Sequence, residues 1–198
     1  MTRTGWALVV GGAAIVAAVL LLPRKPGSSV EAEVPVADSL PADPVERAVA
    51  LVNGENPMAG IQALRDLANA EPPNTDAVVW LGIFSVQSGQ KDKAREHFAR
   101  VLTLEPGHTE ATWQLALLDM EEGRYDAAVV GFEACMAADS SYANGLFFTA
   151  RCYEAMGNTE GALNRFREYL PYAPDTAVVA KVQEMIAELE AGGAGKTE

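Results

Sequence analysis

The chain has 198 residues, 49% of them hydrophobic, and a formal charge of −12, so it can bury a core and presents an acidic surface. Its first 30 residues hold Arg3, Arg24 and Lys25 and no acid, so the remainder is more acidic still. Such a surface repels phosphate backbones, and no basic stripe with interleaved aromatics offsets it, which excludes nucleic acid as the expected partner.

The first predicted element is GWALVVGGAAIVAAVLLL at 5–22, an uncharged and mostly apolar run. As a helix it would span about 27 Å, close to a hydrocarbon core of roughly 30 Å. Trp6 sits at one edge, where an indole favours the headgroup zone, and Pro23, Arg24 and Lys25 close the other. The run ends without the small-residue site of a cleaved leader, and no cysteine follows it for lipid attachment. Residues 1–24 are therefore read as a single-pass anchor, with the membrane as a partner through 5–22. The short positive N-terminal tail favours an inner-membrane orientation that leaves the rest of the chain periplasmic or otherwise extracytoplasmic. Residues 25–43 combine prolines, a Gly-Ser-Ser and scattered acids, the composition of an extended tether.

Beyond the tether the chain repeats itself. GQKDKAREHF (89–98), GRYDAAVVGF (123–132) and GNTEGALNRF (157–166) follow one another at a 34-residue period. The units are 75–108, 109–142 and 143–176. Gly89, Gly123 and Gly157 share a column; so do Ala94, Ala128 and Ala162; so do Phe98, Phe132 and Phe166. Small residues recur at Gly82, Ala116 and Ala150, and Pro106 and Pro174 close the first and third units, with Ser140 in that place in the second. The glycine falls between two helix-length stretches, where a helix stops and positive φ is wanted. The small columns permit close approach of paired helices, and each phenylalanine lies four residues past the second small position on the same face. The proline ends the second helix.

A helix–turn–helix period of this length and pattern resembles the tetratricopeptide repeat. The resemblance implies an all-α fold: a right-handed superhelical solenoid of antiparallel helix pairs, here preceded by the one N-terminal transmembrane helix. The usual Trp column of the first helix reads Val78, Thr112 and Leu146, with Trp80 and Trp113 beside it. Residues 44–74 read as a degenerate unit, with Leu64 in the Phe column, Pro72 in the proline column and Gly60 in place of the alanine. At 177–191, Val182, Met185, Ile186 and Leu189 share a face, while Lys181, Glu184 and Glu188 face away; this is the capping helix that a solenoid needs. Residues 192–198 are read as a disordered tail.

Chemistry is not expected. Gly195, Lys196 and Thr197 fit the end of a phosphate loop, but Glu190 stands where its first glycine belongs and no strand precedes it. His97 and His108 lack ligand neighbours at metal spacing and read as surface residues. Cys135 and Cys152 fall at packing positions; an extracytoplasmic domain leaves a bridge between them open. No catalytic, cofactor-binding or metal residue is named, and no cofactor or metal is expected.

The resemblance implies that one face of the first helices lines a concave groove. Its residues would be Val79, Ile83 and Val86, with Gln87 beside them; Trp113, Leu117 and Met120, with Glu121; and Phe147, Arg151 and Glu154. Some relatives in this family clamp carboxylates there with Lys, Arg and Asn; this chain has one Arg, and its apolar side chains suit an amphipathic helix or extended apolar segment. The layout also resembles bacterial envelope proteins of the family. The expected function is thus a non-catalytic membrane-anchored scaffold that binds a protein partner and serves envelope complex assembly. The alternatives are a chaperone-like holder of unfolded or secreted clients, an assembly factor of the kind used in cytochrome c maturation, or a structural subunit of a larger membrane complex.

Overall fold

The computed structural model describes residues 43–194. These form nine α-helices: α1 (Pro44–Asn53), α2 (Pro57–Ala68), α3 (Thr75–Gln87), α4 (Lys91–Leu104), α5 (Thr109–Glu121), α6 (Tyr125–Ala138), α7 (Gly145–Ala155), α8 (Thr159–Tyr169) and α9 (Thr176–Ala194). Short turns force neighbours antiparallel, and each helix packs on the one before and the one after it. The result is a solenoid of helix pairs.

Helix starts are set by side chains that accept from orphan backbone N–H groups. Asp43 accepts from Val45 N at 2.6 Å, Asn74 from Ala77 N at 2.9 Å, Asn158 from Gly161 N at 2.9 Å and Asp175 from Val178 N at 2.9 Å. His108, expected as a plain surface residue, caps α5 by accepting from Ala111 N through Nδ1 at 3.2 Å. Helices α3, α5 and α7 stop by one device. Gly89, Gly123 and Gly157 take φ of 72°, 76° and 75°. The next N–H then reaches back to a carbonyl five residues earlier: Gln90 to Ser85, Arg124 to Asp119 and Asn158 to Tyr153, each at 2.8 Å.

Between the helices of each pair lies the phenylalanine column. Phe98, Phe132 and Phe166 are fully buried, as are Ala94, Ala128 and Ala162. Leu64 takes the same place in the α1–α2 pair and is also fully buried. There Gly60 permits a closer approach: a methyl at 60 would lie 2.6 Å from both the Ala48 carbonyl and the Val52 side chain. Val182 of α9 is buried against Ala150, Ala162 and Phe166, with Met185, Ile186 and Leu189 half-buried around it. The third unit departs locally from the second. Asp139 accepts from Ser141 N, residues Ser140–Tyr142 form a 3-10 turn, and α7 begins only at Gly145.

The expected fold class is corrected in one respect: what the structure supports is the helix-pair solenoid, with no transmembrane helix as part of it. Among the described residues no helix is long and apolar enough to cross a membrane. The longest, α9, carries Lys181, Glu184, Glu188 and Glu190 along its length, so it is amphipathic and spends its apolar stripe on α8. Residues 5–22, where the span was expected, lie outside the described residues. The bridge left open in sequence is not formed. Cys135 and Cys152 are buried free thiols, with Cys135 Sγ donating to the Thr109 carbonyl.

Candidate peptide-binding faces

The nine residues expected to line a groove sit on α3, α5 and α7, one helix of each successive pair. On α3, Val79, Ile83 and Val86 follow one another at i, i+4 and i+7 and so share a face. Val79 is buried in the core of the first two pairs, whereas Ile83 and Val86 are half-buried at its edge. On α5, Trp113, Leu117 and Met120 repeat that spacing and are all half-buried against Ala116, Val129 and Phe132. The Trp113 indole is held by Phe132, Tyr142 and Phe148, with ring centroids 5.0–5.4 Å away. On α7, Phe147 packs edge-on to Phe166 and Phe148 at 5.7 Å and lies 5.5 Å from Tyr169. Arg151 is exposed and pairs with Glu154 in the next turn of the same helix.

The nine thus divide in two. Val79 is a packing residue, and Phe147 is half-buried among the rings of Phe148, Phe166 and Tyr169. Ile83, Val86, Trp113, Leu117 and Met120 keep apolar surface available along α3 and α5, and the Arg151–Glu154 pair marks the polar end on α7. Trp113 also borders a cavity lined by Asp139, Ser141, Tyr142 and Asn144.

A second feature was missed in sequence. A cleft of about 430 Å³ opens between α2, α3 and α4, floored by Ile61, Leu81 and Phe84 with Met58 at its lip. None of the nine residues lines it. The signal that could have found it is one column: Ser85, Asp119 and Tyr153 are equivalent, and only Ser85 is too small to fill the space.

Titration shifts in the described region mark burial and pairing. Burial pushes the Cys135 and Cys152 thiols up to about 11, with Glu110 adding to the effect at Cys135. Burial lowers His97, and the nearby Arg100, Arg65 and Lys93 cations lower it further. Among the described residues no group of three or more His, Cys, Asp or Glu is placed to hold a metal ion.

Comparison with known proteins bears on both fold and function. The model of the tetratricopeptide repeat matches residues 119–186. The probable biofilm formation methyltransferase WspC of Pseudomonas aeruginosa is 34% identical over 111 residues; the match takes in 54% of this chain and 26% of that protein, so the chain spans about a quarter of this relative. Among solved structures, MamA (residues 41 to the end) from Desulfovibrio magneticus RS-1 superposes with a TM-score of 0.60 at 16% identity, over 76% of this chain and 93% of that one. YrrB, described as a tetratricopeptide protein with an unusual peptide-binding site, superposes with a TM-score of 0.59 at 22% identity, over 70% and 72% of the two chains. PcrH, solved in complex with the chaperone binding region of PopD, gives 0.53 at 20% identity, over 60% and 92%. At these identities the likeness is one of fold.

These findings correct the expectation of a membrane-anchored envelope protein. Neither the family match nor the fold carries that type, and the expected inner-membrane location, extracytoplasmic domain, membrane partner and membrane-complex role are set aside with it. The repeat match and the shared fold are consistent with the expectation that the chain carries no chemistry of its own. The helix-pair solenoid thus shares the fold of these solved proteins, and the tetratricopeptide repeat model matches residues 119–186 of it.

Proposed function

We propose that this chain is a chaperone-like holder, which grips a helix or apolar segment of a protein client on the face built by α3, α5 and α7. The observation that carries the reading is the row of half-buried apolar side chains Ile83, Val86, Trp113, Leu117 and Met120, recurring at the 34-residue period on successive first helices. Such a row offers pockets at the spacing of an amphipathic helix, and contact with it replaces water by apolar surface. Trp113 is a ready anchor, because its neighbours already fix its ring and little entropy is lost on binding. The solved complex of PcrH with the chaperone binding region of PopD supports the same use of this architecture.

The test is suppression of aggregation. A heat-labile client enzyme is warmed with stoichiometric chain and light scattering is followed. The wild-type chain is expected to hold scattering down, and the double variant Ile83→Glu/Leu117→Glu to lose most of that effect while keeping its helical circular dichroism. Undiminished suppression by that variant would refute the assignment of the face.

A further inference from the structure

The cleft between α2, α3 and α4 exists because of a substitution within the repeat. In the third unit Tyr153 fills the equivalent column, half-buried against two neighbouring core clusters. In the second, Asp119 is engaged by Arg95 and Arg124. In the first, the Ser85 hydroxyl folds back on its own helix, donating to the Leu81 carbonyl at 2.7 Å, and leaves the space empty. The floor so exposed is apolar, and Met58 at its lip is 73% exposed.

Its rim is basic, although the chain is acidic. The ion pairs of the described residues draw on Lys91, Arg95, Arg124, Arg151, Arg165, Arg167 and Lys181. Arg65 and Lys93 are in none of them, and both line the cleft together with His97. Lys93 Nζ donates only to the neutral Gln90 side chain, at 2.6 Å. Arg100 stands behind them, tied to the Ala68 carbonyl at the end of α2 and to the Asn69 side chain just past it, and is in none of those ion pairs. Three cations outside the ion pairs named above therefore gather around one half-buried histidine; burial chiefly lowers its affinity for a proton, and the cations lower it further against the opposing charge of Glu96. In a chain of charge −12, positive charge left uncompensated beside an apolar hollow is what an acidic partner would complement.

We propose that this cleft is a second docking site, for a peptide segment that carries Asp or Glu next to a large apolar side chain. The carboxylate would meet Arg65 and Lys93, and the apolar group would fill the hollow over Ile61 and Phe84 that Ser85 leaves open. The site is separate from the face of α3, α5 and α7 and does not depend on the function proposed for it.

A fluorescein-labelled dodecapeptide of alternating Leu and Glu, and its Leu/Gln counterpart, would be titrated with the full chain and followed by anisotropy. The Glu peptide is expected to bind at least about tenfold more tightly than the Gln peptide, and Arg65→Glu/Lys93→Glu to erase that difference. Ser85→Tyr, which fills the hollow, is expected to weaken the Glu peptide by a similar factor, and Val130→Glu, on the exposed side of α6, to leave it unchanged. The two cations are exposed, so their variant keeps its fold; circular dichroism checks this. Equal binding of both peptides, insensitivity to the charge reversal or to Ser85→Tyr, or loss through Val130→Glu would each overturn the proposal.

Discussion

Gly82→Ala sets two known effects against each other, and the geometry decides the sign. Gly82 lies in the middle of α3, where alanine is the better helix former by about 1 kcal/mol. A methyl on it, however, would lie 2.6, 2.7 and 3.0 Å from three ring atoms of Phe98. That ring is fully buried between Ala77, Ala94 and Val101 and has no solvent side into which to retreat. Overpacking of this kind costs about 1–3 kcal/mol, so the variant is expected to be destabilised by about 1 kcal/mol net, and by 2 at the upper end. In the second unit the methyl is already present, as Ala116, and the room comes from Gly131 opposite, where a methyl would lie 2.7 Å from the Ala116 Cβ. Urea unfolding followed by circular dichroism, with the slope held constant, gives the difference. Phe98→Leu removes the colliding atoms. The double variant is therefore expected to be more stable than the sum of the singles by at least about 1 kcal/mol. A stabilised Gly82→Ala, or additivity with Phe98→Leu, would refute the reasoning.

Other expectations follow from the same features. Gly157→Ala is expected to cost about 1–2 kcal/mol because φ is 75°, whereas Gly107→Ala, equally open and without positive φ, is expected to cost under about 0.5; thermal melts compare the two. Thr149→Val is expected to raise stability by about 1 kcal/mol, since the Thr149 hydroxyl is fully buried and lacks a hydrogen-bond partner; the urea midpoint reads it. The two thiols keep their protons up to about 11 when folded and ionise near 9.0 when unfolded, so their contribution is full below pH 9, falls above it and is lost once pH passes about 11. The Cys135→Ala/Cys152→Ala variant is expected to show a shallower loss of stability across that window in denaturation series from pH 8 to pH 11.

The repeat was legible in sequence where one residue type answers one geometric demand. Positive φ at the turn asks for glycine, and Gly89, Gly123 and Gly157 supply it in register; a sealed site between paired helices asks for a small residue against a large flat one, and the Ala and Phe columns supply both. What stayed hidden depends on partners from elsewhere in the chain. Val79 and Ile83 share a helical face in sequence, yet one is core and the other borders solvent, because burial is set by how far the neighbouring pair reaches. The rings that gather around half-buried Phe147 come from Phe148 beside it and from Phe166 and Tyr169 of α8, and no spacing within α7 announces the latter two. Ser85 carries no signal alone; its meaning is the absence of what Tyr153 does one column over. The capping role of His108 escaped notice because histidine is not among the usual capping residues. Residues 5–22 gave the strongest single hydropathy signal in the chain, and they lie outside what the structure describes.

The most direct test of the client-holding face is site-specific photo-crosslinking in intact cells, with the probe at Leu117 and a control at Val130, which is 68% exposed on α6. Mapping the adducts by mass spectrometry is expected to place the Leu117 crosslinks on apolar or amphipathic client segments and to lose them when Trp113→Glu is added. Adducts at Val130 with none at Leu117, or Leu117 adducts indifferent to Trp113→Glu, would contradict it.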